Sequence, residues 1–170
     1  MKDQIDKAPI GSARRTAESL GEMLSTYFLI HPVDAKLMNF IEKIFHSKNF
    51  VSLRGYDRAV REIYLSRDKF TDAQLGCISS WIRDTYGKGV DSDYALMACD
   101  FIARANSFEV ALPILESMLW KSDDASSVGG VLLGLDVLRT HSMLAARPSL
   151  ELDQLMAVAI DRIEKLGSNG

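Results

Sequence analysis

The sequence predicts an all-α protein of about eight helices in antiparallel pairs, folded as a short α-solenoid or a compact helical bundle. Three observations predict it. Apolar residues recur at i, i+3, i+4 and i+7 along most of the chain, and no stretch keeps the alternation of a half-buried strand. Cap residues and glycine or proline breaks cut that pattern into segments of helix length. The apolar positions of successive segments also superpose on a shift of about 37 residues.

Residues 1–11 are polar, with Pro9 and Gly11, and are expected to form a loose tail ahead of one helical domain over 12–170. Leu20, Leu24, Tyr27 and Phe28 mark a first helix, which ends near His31-Pro32 because the residue before proline avoids the α region. Met38, Ile41, Ile44 and Phe45 mark a second, and Tyr56, Ala59, Val60, Ile63 and Tyr64 a third. Thr71 and Gln74 make a capping box that opens a fourth, with Leu75, Ile78, Trp81 and Ile82 inward and Gly87 and Gly89 ending it. Ser92 is the expected cap of a fifth helix, apolar around most of its circumference and so expected at the centre. Ser107 precedes a sixth, in which Pro113 predicts either a kink or a later start. Asp123, Asp124, Ser126 and Ser127 are candidate caps for the seventh, and Ser149 caps the eighth.

Met38, Ile41, Ile44 and Phe45 shifted by 37 residues fall on Leu75, Ile78, Trp81 and Ile82, and shifted again fall on Leu112, Leu115, Met118 and Leu119. Tyr94, Met97, Ala98 and Phe101 shifted by 34 fall on Val128, Val131, Leu132 and Leu135. Helix pairs are therefore expected near 33–67, 71–105 and 108–141, with a half repeat at 149–166. In repeat length and pairing the array resembles HEAT and armadillo repeats over residues 33–166, without a diagnostic consensus motif.

SVGGVLLGLDVL, residues 127–138, looks at first like a phosphate-cradling loop. It lacks the Lys-Ser/Thr ending of such a loop, and no strand precedes it. Val128, Val131, Leu132, Leu135 and Leu138 keep helical spacing through the glycines, and Gly130 and Gly134 share a face. Each glycine costs about 1 kcal/mol relative to alanine, so the sequence predicts a close helix contact there.

Composition bounds the function. Residues 1–70 carry 12 Lys/Arg and 9 Asp/Glu, a net of +3, whereas residues 71–170 carry 8 and 14, a net of −6. The acidic second half disfavours nucleic acid there and fits a basic partner. Cys77 and Cys99 lack metal or redox spacing and read as buried hydrophobes in a reducing compartment. No secretory leader and no membrane-spanning run is visible, so a cytoplasmic protein is expected, with no membrane contact. His31, His46 and His141 lie at helix ends in no metal-binding arrangement, and Ser79-Ser80 has no nucleophile-elbow context. Asp91 and Asp93 lack the rest of a calcium loop and read as helix-start charge. With no catalytic set, the chain reads as a binding protein rather than an enzyme, with no metal and no cofactor.

Two surfaces are candidates. Trp120 falls in a column whose equivalents, Arg83 and His46, are polar, so it is expected at the surface, where tryptophan serves as an interface anchor. Glu116, Asp123 and Asp124 lie near it in sequence, and Asp84 and Asp91 at the corresponding end of the preceding pair, an acidic rim suited to a basic protein. In size, expected solubility and acidic second half the chain resembles bacterial immunity proteins that neutralise basic nuclease toxins. The resemblance implies a protein that sequesters a partner, such as a basic toxin domain, by occlusion. The alternative is a nucleic-acid contact through Arg54, Arg58 and Arg61, spaced i, i+4, i+7, with Arg14 and Arg15 adding charge. No exposed aromatic run accompanies that ridge to stack on single-stranded bases.

Overall fold

The computed structural model describes residues 10–46, 56–87, 90–145 and 148–167. It is all-helical: α1 Ile10–Ile30, α2 Ala35–Phe45, α3 Asp57–Leu65, α4 Asp72–Thr85, α5 Ser92–Ala105, α6 Phe108–Lys121, α7 Ala125–Leu144 and α8 Leu150–Gly167, with one 3-10 turn, Arg67–Lys69. No strand occurs among the described residues.

The first five helices pack chiefly on the helix two places along, whereas α6 and α8 both pack chiefly on α7. The odd helices α1, α3, α5 and α7 form one layer, and the even helices α2, α4, α6 and α8 form the other. Residues in contact along a layer are separated by about one repeat. A Cβ on Gly21 would meet the Arg58 side chain, Gly130 lies on Ala95, and Gly134 lies on Cys99. Tyr64 meets Phe101 edge-on at 6.4 Å, and the Lys121 ammonium donates to the Arg83 carbonyl at 3.1 Å. Neighbours within a layer therefore run parallel. Across the layers α4 and α5 meet where the Asn106 amide, just past the end of α5, donates to Ser79 Oγ in the middle of α4 at 2.8 Å.

Local signals place the helix starts. Thr71 and Gln74 form the capping box, with the Thr71 side chain accepting from Gln74 N and the Gln74 side chain accepting from Thr71 N. Asp34 caps α2, Asp124 caps α7 by accepting from Ser127 N at 2.8 Å, and Ser149 caps α8 by accepting from Leu152 N at 3.3 Å. The fifth helix is capped by Asp91, one residue before the expected Ser92; the Asp91 carboxylate accepts from Asp93 N at 3.1 Å. The first helix starts at Ile10, so Ile10 and Gly11 are helical where the tail 1–11 was expected to continue. A glycine in the opening turn is tolerated because it interrupts no established turn of helix. Pro113 sits inside α6, which begins five residues earlier at Phe108 and continues to Lys121.

The core runs the length of the array, from Leu20, Leu24 and Phe28 to Leu152 and Ala159. The central α5 buries Tyr94, Ala95, Ala98, Cys99, Phe101, Ile102 and Ala103, while Leu96 reaches solvent. Cys77 is exposed, against expectation. It lies two residues past Leu75, about 200° around the helix at 3.6 residues per turn, on the side away from Leu75, Ile78 and Ile82.

A buried polar chain ties the second pair to the third. The Cys99 thiol donates to the Tyr86 hydroxyl at 3.6 Å, and that hydroxyl donates to the Ser127 carbonyl at 2.7 Å. Burial pushes the Cys99 thiol up to about 12 and, with Cys99 nearby, holds the Tyr86 phenol well above its ordinary range. Both stay protonated, as their donor roles require.

Candidate partner-binding site

The site lies where α4, α6 and α8 bring their C-terminal halves together along one edge of the even layer. Two cations hold this edge. Lys121 caps the end of α4 through the Arg83 carbonyl, and Arg162 of α8 caps the end of α6, donating to the Leu119 carbonyl at 2.6 Å and to the Ser122 carbonyl. Both meet the partial negative charge of a helix C-terminus.

Trp120 projects from this edge with 58% of its surface exposed, the one exposed Phe, Tyr or Trp side chain among the described residues. The Arg162 guanidinium lies over its ring at 5.8 Å from the centroid, a contact worth about 0.5–1 kcal/mol at an exposed site. The indole is thus held in orientation before any partner arrives, which lowers the entropy lost on docking.

The structure distributes the expected acidic rim unevenly. Glu116 is half-buried one turn before Trp120, and Asp123 is exposed just past the end of α6. Asp84 is exposed at the end of α4 and paired with Arg83 at 2.9 Å. Asp124 and Asp91 have another task, since each carboxylate caps its own helix. The second oxygen of Asp124 is buried without a hydrogen-bond partner. With Arg83, Lys121 and Arg162 present, the rim carries both signs of charge. Arg162 was missed because its approach to Trp120 depends on the register of α8 against α6.

The arginine ridge comes together less well. Arg54 lies outside the described residues, and of Arg14 and Arg15 only the helical backbone is described. Arg58 donates to Glu62 at 3.1 Å, and its aliphatic stem lies against Gly21 of α1. Arg61 is exposed. A cavity of about 580 Å³ opens near the start of α6, lined by Phe108, Glu109, Leu138, His141 and Ser142 among others. No helix among the described residues is long and apolar enough to cross a membrane. Comparison of the chain with protein-family models, curated proteins and solved structures finds no match.

Proposed function

We propose that this protein is a binding module that sequesters one protein partner by occlusion, with Trp120 as the anchor. The observation that carries the reading is the exposure of Trp120 on a rigid helix end, its indole oriented by Arg162. An aromatic of this size in water is an unfilled contact, and such residues dominate binding energy when a partner pocket closes over them. Asp123, Asp84 and Glu116 supply the acidic part of the rim and favour basic groups on the partner, while Lys121 and Arg162 favour an acceptor beside them. A basic toxin domain, neutralised as immunity proteins neutralise their targets, is the partner class that the acidic second half fits best. The two-layer array is HEAT-like in this reading, a stiff scaffold for a shape-specific face.

The test is affinity capture from a lysate of the source organism at low and high salt, with wild type and Trp120→Ala in parallel. Wild type is expected to retain one protein stoichiometrically at high salt. Trp120→Ala is expected to lose it by about 30-fold or more, equivalent to the 2 kcal/mol or more of an interface anchor. Equal capture by both chains, or retention of nucleic acid alone, overturns the proposal.

A further inference from the structure

Seven large apolar side chains among the described residues are more than half exposed. Trp120 is one, and the other six lie along a different edge: Leu29, Ile30 and Leu65 towards one end, Met143, Leu144 and Leu150 towards the other. All six stand in the first or last turn of a helix, beside a connection inside the chain. This edge is where the odd helices finish. Near the end of α1 the Phe28 carbonyl accepts from Lys69, and the Phe28 ring meets Phe70, just past α3, at 5.4 Å. Tyr64 of α3 meets Phe101 of α5, and Gly130 and Gly134 of α7 lie on Ala95 and Cys99 of α5 in the same order.

The same edge has a hollow as well as tips. The cavity of about 580 Å³ opens where α5 and α7 end and α6 and α8 begin, walled by Ala103, Phe108, Leu138 and Pro148. Met143, Leu144 and Leu150 flank these residues in the chain. Trp120 closes α6 on the opposite edge, about 20 Å from Phe108 at 1.5 Å per residue. Aliphatic side chains scattered singly over a surface need no explanation, but a row of them along one edge marks an interaction site. Tips without a hollow stand at the α1–α3 end, and the hollow stands at the α7–α8 end. A two-fold axis near the end of α5 carries each onto the other, which is the self-match that an isologous pair requires.

Charge decides which ends meet. By sequence Lys36, Arg67 and Lys69 balance Asp34, Asp68 and Asp72 at the first end, whereas Glu109, Glu151 and Asp153 outnumber Arg147 at the second. Like ends facing one another would set acid against acid, and crossed ends avoid it. An anionic lipid surface is a poorer occupant, because the acidic end repels it and no exposed Phe, Tyr or Trp anchors the edge among the described residues. Area suffices for a second copy. From α1 to α7 the edge runs about 25–30 Å at 8–10 Å per helix spacing, and two layers are about 20 Å deep, so a pair buries roughly 1,000–1,200 Å², enough for a specific but modest interface. We propose that two copies of this chain pair edge to edge about a two-fold axis near the end of α5. Leu29, Ile30 and Leu65 of each copy seat over the cavity and against Met143, Leu144 and Leu150 of the other. The contact is closed, so it ends at a dimer. Trp120 stays outside it, so this pairing and the Trp120 reading stand or fall separately.

The test is sedimentation equilibrium of the full chain from about 1 μM to about 1 mM, a span covering weak to moderate affinities. Wild type is expected to rise from the 18.9 kDa chain mass to a plateau at twice that mass. Leu65→Glu and Leu144→Lys, both at exposed positions, are each expected to weaken pairing at least tenfold, while Trp120→Ala leaves it unchanged. The double variant Leu65→Glu/Leu144→Lys separates the two arrangements. Crossed ends set its new charges opposite in sign, and like ends would set them equal in sign. It is therefore expected to pair more tightly than either single variant. A monomer throughout, growth past the dimer, single variants that match wild type, or a double variant no tighter than the singles overturns the proposal. A monomer that pellets with vesicles of phosphatidylcholine and phosphatidylserine makes the edge a lipid contact and overturns it as well.

Discussion

Gly129 and Gly130 are adjacent in one helix and meet opposite conditions, so alanine at each isolates the packing of α7 on α5. Both substitutions gain the helix propensity of alanine over glycine, about 1 kcal/mol. At Gly129 nothing opposes the gain, for an added Cβ finds open space. At Gly130 the Cβ would stand 2.7 Å from the Ala95 carbonyl oxygen, 2.8 Å from its carbon and 2.8 Å from the Tyr86 hydroxyl. Two of these three atoms are backbone of α5 and cannot rotate aside. The helices must separate, at the 1–3 kcal/mol typical of about one added carbon in a packed core. The Tyr86 bond to the Ser127 carbonyl weakens as well, at about 1 kcal/mol. Gly129→Ala is therefore expected to stabilise by up to about 1 kcal/mol and Gly130→Ala to destabilise by about 1–3 kcal/mol, a gap of roughly 2–4 kcal/mol. Urea denaturation reads this as midpoints separated by about 0.7 M or more, given slopes of about 1–3 kcal/mol per molar. Coincident midpoints, or Gly130→Ala above Gly129→Ala, would refute the close approach of the two helices.

The cysteines separate by burial. In the native protein a thiol-alkylating reagent is expected to modify Cys77 and spare Cys99, giving one adduct by mass spectrometry and two after unfolding; two adducts on the native chain would contradict the buried position of Cys99. Alkaline stability follows from the same groups. The folded state holds Cys99 up to about 12 from an ordinary 9.0, so its contribution is intact below pH 9 and declines as pH rises from 9 towards 12. Tyr86 and Tyr94, raised chiefly by burial from an ordinary 10.0, act in the same direction above pH 10. Urea midpoints are expected to fall steeply above pH 9 in wild type and less steeply in Cys99→Ala, and parallel pH profiles would count against the buried thiol.

The features legible in the sequence are those decided within a few residues. A capping box needs only Thr71 and Gln74, and both of its bonds form. The helix through Gly130 and Gly134 is written in Val128, Val131, Leu135 and Leu138, all buried. Features that failed to show depend on where a side chain turns once helices are in register. Asp91 and Asp124 have the composition of an acidic rim, yet a carboxylate at a helix start competes for the unsatisfied N–H groups beside it, and here both cap. Cys77 follows an apolar pattern in sequence, but a two-residue offset from Leu75 turns it to solvent. Arg162 stands 42 positions from Trp120 in the chain, and only the parallel packing of α8 on α6 brings the two together.

In a two-layer array each helix pair meets only its neighbours, so the ends and the edges are separate surfaces with separate chemistry. The groove between α7 and α8 is formed by backbone spacing and apolar side chains, Gly129 and Leu133 against Met156 and Ile160. The edge at Trp120 is formed by helix termini, where carbonyls already satisfied by Lys121 and Arg162 surround one uncovered indole. A helix laid there would find few apolar neighbours, whereas a concave pocket on a folded partner would find one large anchor and a polar rim. Trp120→Ala removes the anchor and leaves this groove intact, whereas Ile160→Glu places a charge in the groove and leaves the indole in place.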